Sequence, residues 1–323
     1  MFQDDPSHNG VGTGNPVLTA EVLWKNNGPS YQYGTSSWSA PTIVNGVVYV
    51  GSGFYANPSG YHPTSWGDVY AFKASNGALV WDYRDNSSSG FGTPSVVDGV
   101  VFFSSNNYVG ALKASDGKSI WNNTANGGTS PDVLNGVFYD NNGHIVYALN
   151  ATNGNQIWAS DTPGLTPPAV AYGVLYTCSL DHDVYALNAT NGDSIWNYTT
   201  GSFVEDSSVV ANGLVYVGSD DNNIYALNAS TGAQVWNLTT AGLATSPTVS
   251  GDDVYLGSNG VSVYCLTASN GDVVWNITAF PHEVINGETV FPGMGEIQEG
   301  PTLYAPTLSN EVVYISLSAS ALA

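Results

Sequence analysis

The stretch VYALNATNG occupies residues 146–154 and occurs again, unchanged, at residues 184–192, and in each copy a tryptophan follows four residues after the glycine. Nine identical residues are not expected to recur by chance in a chain of 323, so the segment is a repeated structural unit. Looser copies raise the count to six, and all six keep the spacing Ala-x-x-Gly-x-x-x-Trp. The six motifs are Ala74/Gly77/Trp81, Ala114/Gly117/Trp121, Ala151/Gly154/Trp158, Ala189/Gly192/Trp196, Ala229/Gly232/Trp236 and Ala268/Gly271/Trp275.

Each copy predicts a β-hairpin. Large residues alternate in VYAL, which is typical of a strand, and the Asn/Ser/Thr-x-Gly cluster after it suits the positive φ of a hairpin turn. A second pair of short apolar runs precedes each copy, for example SPTVS and DVYLGS within residues 246–258. Each repeat therefore predicts four strands, which we name A to D in chain order. The tryptophans stand 37 to 40 residues apart, and four-stranded units of about forty residues are typical of a β-propeller.

The ends of the chain decide the number of blades. Residues 18–26, LTAEVLWKN, place Trp24 where a blade has its tryptophan, so they predict an outer strand that completes the last blade. YAPTLS and NEVVYISLS predict the inner strands of that blade, and its third strand stays open, with the terminal SASALA as a candidate. We therefore predict an all-β fold: one domain over residues 1–323, a seven-bladed β-propeller of four-stranded antiparallel blades. The blades are expected to start near Ala40, Gly92, Thr129, Thr166, Asp206, Thr245 and Tyr304.

The repeated tryptophans are predicted to pack between neighbouring blades rather than to bind a ligand, because a buried aromatic ring removes roughly 150–250 Å² from water. This role is predicted for Trp24, Trp81, Trp121, Trp158, Trp196, Trp236 and Trp275.

Blades that end in Ala-x-x-Gly-x-x-x-Trp resemble the PQQ-like (quinoprotein-type) repeat. Quinone-dependent alcohol dehydrogenases share that repeat with non-enzymatic propellers, among them the lipoprotein of the bacterial outer-membrane barrel assembly machinery. The opening MFQDDPSHNG is also similar to a segment that often precedes the first blade in archaeal and bacterial members. In the enzymes the resemblance implies adjacent cysteines, a calcium site of Glu, Asn and Asp, a catalytic Asp and eight blades. This sequence has no Cys-Cys pair and predicts seven blades, so those roles have no position here. We expect no catalytic residue, no cofactor and no metal.

Calcium elsewhere is a weaker alternative. Asp181, Asp183, Asp220 and Asp221 lie in predicted turns between strands B and C, where aspartate satisfies backbone donors for local reasons.

Composition indicates a place outside the cell. Five Lys and Arg stand against 26 Asp and Glu, for a net charge of −21, yet only 10% of the residues are charged, where about a quarter is usual. Such a surface repels nucleic acid. A surface rich in uncharged Asn, Ser, Thr, Gly and Tyr stays soluble through hydrogen bonds, which suits an acidic or otherwise harsh environment outside the cell. The alternative is an ordinary secreted protein in an environment of no special pH. The sequence contains no run of about eighteen apolar residues, so it predicts no membrane-spanning helix. Cys178 and Cys265, two blades apart, are expected to be buried thiols.

Eight Asn-x-Ser/Thr sequons are candidate N-glycosylation sites. Three of them open predicted C–D turns and four directly follow a blade tryptophan, where alternation turns the asparagine toward solvent. Turn chemistry alone also explains asparagine in the first group. The eight are Asn86, Asn122, Asn150, Asn188, Asn197, Asn228, Asn237 and Asn276.

Three long connections interrupt the repeat, at residues 27–39, 53–67 and 279–303. They belong to the D–A and B–C classes, which emerge on one face of a propeller, and their blades are neighbours once the ring closes. We therefore predict one raised aromatic patch that binds a protein or a glycan. The alternative is that the loops pack on one another over the channel mouth. The patch comprises Tyr31, Tyr33, Trp38, Phe54, Tyr55, Tyr61, His62, Trp66, Phe280, His282, Glu283 and Phe291.

The sequence thus favours an extracellular or cell-surface binding or assembly scaffold without catalysis. Two alternatives remain: a quinone-dependent or other enzyme with a site at the channel mouth, and a self-assembling subunit of a surface layer or filament.

Overall fold

The computed structural model describes residues 11–12, 23–25, 35–56, 64–85, 90–125, 127–259, 262–278, 283–285, 288–290, 302–303, 307–309, 312–314 and 317–318. The regular elements in these ranges are β-strands, so the predicted all-β class is confirmed. In this part of the chain, no helix has the length and apolar character needed to cross a membrane.

The strands form six successive sheets and a set of shorter pairings. Strand β1 is Val11–Gly12. The first sheet holds β2 (Thr35–Trp38), β3 (Thr42–Val44), β4 (Val47–Ala56), β5 (Thr64–Lys73) and β6 (Leu79–Asp85). The second holds β7 (Ser95–Val97), β8 (Val100–Ser104), β9 (Val109–Lys113) and β10 (Ser119–Asn123). The third holds β11 (Asp132–Leu134), β12 (Val137–Asn141), β13 (Val146–Asn150) and β14 (Gln156–Ser160). The fourth holds β15 (Ala169–Ala171), β16 (Val174–Cys178), β17 (Asp183–Asn188) and β18 (Ser194–Thr199). The fifth holds β19 (Val209–Ala211), β20 (Leu214–Gly218), β21 (Asn223–Asn228) and β22 (Gln234–Thr239). The sixth holds β23 (Thr248–Ser250), β24 (Asp253–Ser258), β25 (Ser262–Thr267) and β26 (Val273–Thr278). The shorter strands are β27 (Glu283–Ile285), β28 (Glu288–Val290), β29 (Thr302–Leu303), β30 (Thr307–Ser309), β31 (Val312–Tyr314) and β32 (Leu317–Ser318).

Each of the second to sixth sheets is a meander of four strands in chain order, as predicted for one blade. A seventh four-stranded sheet is not found among the described residues, so the predicted number of seven blades is not confirmed. Of the predicted outer strand, residues 18–26, the structure describes residues 23–25, which lie in no strand, and residues 18–22 and 26 lie outside the described residues. β30 and β31 pair antiparallel where the inner strands of the seventh blade were predicted, and β1 adds to β30 in parallel. β27 pairs with β28, and β29 with β32.

The chain divides into two compact units, residues 1–2, 17–177 and 187–194 in one and residues 3–16, 178–186 and 195–323 in the other. The first three sheets belong to the first unit and the fifth and sixth to the second, and the division falls within the fourth sheet. Within the second unit, β1 and β30 lie beside β23.

The repeated motif joins each sheet to the next one. The Trp121 indole Nε1–H donates to the carbonyl oxygen of Ala151 at 2.8 Å. A Cβ added to Gly154 would lie 2.5 Å from the same indole ring, so only glycine lets the ring lie this close, and its φ of +71° is also one that glycine favours. Trp121 therefore packs on the Ala and Gly of the following motif. The same bond and close approach occur for Trp24 with Ala74 and Gly77, Trp81 with Ala114 and Gly117, Trp158 with Ala189 and Gly192, Trp196 with Ala229 and Gly232, and Trp236 with Ala268 and Gly271.

The hydrophobic core lies between the faces of successive sheets. In the first unit, Tyr49 and Trp81 of the first sheet pack against Val101 and Phe103 of the second. Further clusters join the second sheet to the third and, in the second unit, the fifth to the sixth. The tryptophans are central to this packing: Trp81, Trp121, Trp158, Trp196 and Trp236 expose 7–9% of their surface, and Trp24 and Trp275 are half-buried.

Candidate functional site

The structure describes part of the predicted aromatic patch. Trp38 ends β2, Phe54 and Tyr55 lie in β4, Trp66 lies in β5, and Glu283 begins β27. The other predicted residues lie outside the described residues: Tyr31, Tyr33, Tyr61, His62, Phe280, His282 and Phe291.

The three predicted long connections contain strands, which corrects the expectation of loops. β2 lies in the first connection and pairs antiparallel with β4, β27 and β28 lie in the third, and in the second β4 runs on to Ala56 and β5 begins at Thr64. Gly53 and Gly67 bound the second predicted connection, and they pair directly in the β4–β5 ladder. A Cβ on Gly67 would lie 2.7 Å from the Phe91 ring, so this glycine permits a close approach rather than ending a strand.

The extended first sheet sets four residues in one lateral row. Trp38 pairs with Ser52, Ser52 with Asp68, and Asp68 with Arg84. Residues that face each other across antiparallel strands project on the same side of the sheet. We call these residues the Trp38–Arg84 row.

A buried carboxylate fixes the arginine of the row. Asp68 is buried, and its Oδ1 lies 2.8 Å from Arg84 Nε while its Oδ2 lies 3.4 Å from Arg84 Nη2. The Tyr70 hydroxyl donates to Asp68 Oδ2 at 2.9 Å. Since the charge of Asp68 is paired and hydrogen-bonded, it is tolerated inside the sheet, and the guanidinium is held in one orientation. The Arg84 side chain still exposes 44% of its surface.

Aromatic rings support the other end of the row. The Trp38 ring centroid lies 5.6 Å from that of Tyr70, and Tyr70 stacks on Phe72 at 5.6 Å. Trp38 itself exposes 41% of its surface. The next row pairs Phe54 with both Ser36 and Trp66. An exposed tryptophan and an oriented arginine, both held by buried neighbours, are the residue types enriched in the energetic centres of protein interfaces.

Sequence reasoning found Trp38 and missed Asp68 and Arg84. The signal was present, because Arg84 is the single arginine of the chain and lies on a strand. Its partner was not recognisable, since a separation of 16 residues becomes a contact only through the β5–β6 register.

The family model described as outer membrane protein assembly factor BamB matches residues 9–145 and, in a second placement, residues 141–321. The chain belongs to this family of PQQ-like repeat proteins. The resemblance found in the motifs is thereby confirmed. No curated protein matches the chain.

Two solved structures show the fold of this PQQ-like repeat chain. BamB from Moraxella catarrhalis is similar with a TM-score of 0.62 and 15% identity, and the match covers 87% of this chain and 92% of that one. The computationally designed Ika8 protein is similar with a TM-score of 0.64 and 10% identity, over 92% of this chain and 99% of that one. At these identities the likeness concerns the fold alone.

Two of the aspartates considered as calcium ligands, Asp181 and Asp221, make hydrogen bonds to nearby residues. Asp221 accepts bonds from the Gly201 and Asn223 amides at 2.8 and 2.9 Å and from the Tyr225 hydroxyl at 2.5 Å. Asp181 accepts a bond from the Tyr185 hydroxyl at 2.5 Å. Among the described residues, no group of three or more His, Cys, Asp or Glu is placed to hold a metal ion. Cys178 and Cys265 are both buried and no disulfide joins them.

One carboxyl that the sequence did not single out is fully buried. Asp140 lies in β12 of the third sheet. Its carboxyl accepts hydrogen bonds from the Asn141 amide at 2.8 Å, the Tyr147 hydroxyl at 3.2 Å and the Thr129 hydroxyl. Burial raises the pKa of Asp140 to about 6, although these hydrogen bonds oppose the shift. The bonds to Thr129, Asn141 and Tyr147 fix the carboxyl inside the sheets, and the buried Ser104 hydroxyl also acts on it.

Proposed function

We propose that this chain is a non-catalytic protein-binding scaffold that works outside the cell and binds its partner through the Trp38–Arg84 row. The observation that carries the proposal is the row itself, in which exposed Trp38 and Arg84 are held by buried Tyr70 and Asp68. The family description, an assembly factor, supports a protein as the partner.

The pre-organisation of the row is the reason to assign it binding. An interface loses affinity when flexible side chains must be ordered, and here the rotamers of both exposed residues are already limited by their neighbours. Tyr49, Val69 and Trp81 pack one face of the first sheet, and Val48, Val50, Tyr70 and Phe72 form the cluster on the side of the row. Trp38 lies against Tyr70 of this cluster and still exposes 41% of its surface.

Binding is tested with Trp38→Ser and a matched control. Leu79→Ser removes a residue of the same sheet that exposes 53% of its surface and lies on β6, away from the row. Each tagged variant is mixed with detergent-solubilised envelope proteins of its own cells, and the proteins that copurify are quantified by mass spectrometry. We expect a partner that the wild type and Leu79→Ser retain and that Trp38→Ser binds roughly tenfold or more weakly. Identical copurifying proteins for all three chains would contradict the proposal.

The non-catalytic part has its own measurement. A bound quinone absorbs at wavelengths longer than those of tryptophan and tyrosine, so the protein purified from its own cells is expected to show the absorption of the two aromatic residues alone. A further near-ultraviolet band that is lost on denaturation and dialysis would favour the enzyme.

The location is tested on intact cells. Lys73, Lys113 and Lys118 are exposed, so a membrane-impermeant amine reagent is expected to label them without lysis. Labelling that requires lysis would contradict a location outside the cell.

We also propose that a seventh blade completes the propeller and that residues 18–26 supply its outer strand. The support is Trp24, whose indole donates to Ala74 O at 2.8 Å and lies on Gly77, as each blade tryptophan does with the following motif. The antiparallel pairing of β30 with β31, where the inner strands of that blade were predicted, also supports the proposal.

A further inference from the structure

Four outer strands present a sequon asparagine directly after the tryptophan. Asn122, Asn197, Asn237 and Asn276 are exposed, and they lie in β10, β18, β22 and β26. The preceding Trp121, Trp196 and Trp236 are buried, because successive residues of a strand project to opposite sides.

The amide nitrogens of these asparagines are accessible to chemistry. Asn197 Nδ2 donates to Asp183 Oδ2 at 3.1 Å and has a second hydrogen, while Thr199 Oγ1 bonds the other oxygen of Asp183. The bonds of Asn122 from Ser119 Oγ and of Asn237 from Gln234 Nε2 are made by Oδ1 at 3.3 Å, so they do not use the Nδ2 hydrogens. A group attached to Nδ2 of Asn122, Asn197 or Asn237 therefore displaces no buried contact.

The sequon asparagines of the turns are in a different situation. Asn150, Asn188 and Asn228 are half-buried, and their Oδ1 atoms accept bonds from the backbone N–H two residues later at 2.9, 2.8 and 3.0 Å. These Asx turns explain asparagine at the three positions without any modification. Asn86 lies outside the described residues.

The outer strands are sheet edges, and the pairings of β10, β22 and β26 each contain a register shift. β10, β18, β22 and β26 each end the strand order of their sheet. Beside the asparagines, Ile120, Ile195, Val235 and Val274 expose 41–54% of their surface. Edge strands are commonly protected from pairing with other chains by charged residues, above all lysine. The sequence has no Lys or Arg after Lys118, so that protection is absent from the last three of these strands. In the first sheet, β6 instead carries Asp82, Arg84 and Asp85.

We propose that N-linked oligosaccharides on Asn122, Asn197, Asn237 and Asn276 cover the outer edges of these sheets and prevent edge-to-edge association. The donor is an oligosaccharide linked to a polyisoprenoid diphosphate or phosphate. The Asn Nδ2 attacks its anomeric carbon, a C–N bond forms as the C–O bond breaks, the lipid (di)phosphate departs with the electron pair, and the amide proton passes to a base of the transferase. The proposal rests on the proposed location outside the cell.

Attachment is tested on protein purified from its own cells. Trypsin has no cleavage site after Lys118, so chymotryptic peptides are used and the glycopeptides are located by tandem mass spectrometry. Sugar is expected on the four outer-strand asparagines, with Asn150, Asn188 and Asn228 unmodified. Only unmodified peptides at all four positions, in protein that the amine reagent labels on intact cells, would overturn the proposal while leaving the location intact.

The role of the sugar is tested with Asn→Gln at the four positions together. The variant is expected to keep its melting temperature and to show a several-fold larger oligomer fraction by sedimentation velocity. Thr239→Ser is the matched control, because it keeps both the sequon and the hydroxyl that bonds Asn223 Oδ1 at 2.7 Å. A glycosylated wild type and an equally monomeric quadruple variant would overturn the edge-covering role.

Discussion

The turn that joins the first two strands of a blade requires left-handed backbone at its first position. Asn45, Asp98, Asn135 and Asn212 adopt φ between 49° and 53° there, and each is followed by glycine. Asparagine and aspartate tolerate this region best among residues other than glycine. In the fourth sheet Tyr172 takes the same position with φ of 53° and exposes 74% of its surface, so its side chain does not compensate for the strain by burial.

Tyr172→Asn is therefore expected to stabilise the protein. The substitution relieves a left-handed aromatic residue, and we expect about 1 kcal/mol more free energy of unfolding, measured by urea denaturation. Asn135→Tyr makes the reverse change in the third sheet, at an exposed residue with φ of 51°, and should destabilise by a similar amount. Two unchanged midpoints would show that these turns carry no such strain.

Asp140 gives the stability of the protein a specific pH dependence. Its folded pKa of about 6 lies above the unfolded value of 3.8, so the folded state holds the proton between these two pH values while the unfolded state releases it. The stabilisation present below pH 3.8 is lost as pH rises through about 6, and a shift of about 2 units corresponds to roughly 3 kcal/mol. Asp140→Asn should reduce the difference in unfolding free energy between these limits by about that amount.

The control for Asp140 is an exposed carboxylate that follows the same sheet. Asp161→Asn removes one surface charge just after β14 and reports the contribution of net charge alone. Equal effects of the two substitutions on the pH dependence would contradict a special role for the buried carboxyl.

At the scale of the element, the tryptophan of each outer strand packs on the next sheet, as Trp196 of β18 does on the fifth sheet. Trp196 is buried, bonds Ala229 O at 3.0 Å and lies against Gly232, so Trp196→Ala leaves a cavity and removes this hydrogen bond. We expect a loss of roughly 3–5 kcal/mol in unfolding free energy. Trp38→Ala, at an exposed tryptophan, should cost much less, and equal losses at the two positions would contradict this account of the joint.

The elements differ in how far the sequence predicts them. The alternation of large residues and the Asn, Ser, Thr and Gly of the turns were sufficient to predict the hairpins, because both are local features of the sequence. The Trp121 contact with Gly154 was not readable as a contact, since its partners lie 33 positions apart and meet only after the sheets pack. The sequence predicts a long loop over residues 53–67, but β4 and β5 extend into it, Gly53 pairs with Gly67, and Gly67 permits the close approach of Phe91. Asp68 and Arg84 were missed for a similar reason, because register and not spacing brings them together.

At the scale of the whole molecule, the sequence predicts the repeat better than its ends. Six motifs in one spacing identify the family, whereas the seventh blade has no motif of its own and rests on Trp24 and on the β30–β31 pair. Positive charge is also unevenly distributed along the chain, since all five Lys and Arg lie before residue 119. Arg84, which pairs with the buried Asp68, belongs to this part of the chain.

Closure of the propeller can be tested by one substitution and a spatially resolved readout. If residues 18–26 form the outer strand of the seventh blade, Trp24→Ala weakens both the first sheet and the blade that contains β30 and β31. Trp24→Ala leaves β1 and its pairing with β30 in place, so it does not disturb β30 directly. Hydrogen exchange, read by mass spectrometry, should therefore quicken in peptides from β4 and β5 and also in peptides that cover residues 302–318. The control is Trp81→Ala, which weakens the joint between the first two sheets and should leave residues 302–318 less affected than β8 and β9. Faster exchange confined to the first sheet in Trp24→Ala would mean that Trp24 only covers that sheet and that the closing strand must be sought elsewhere.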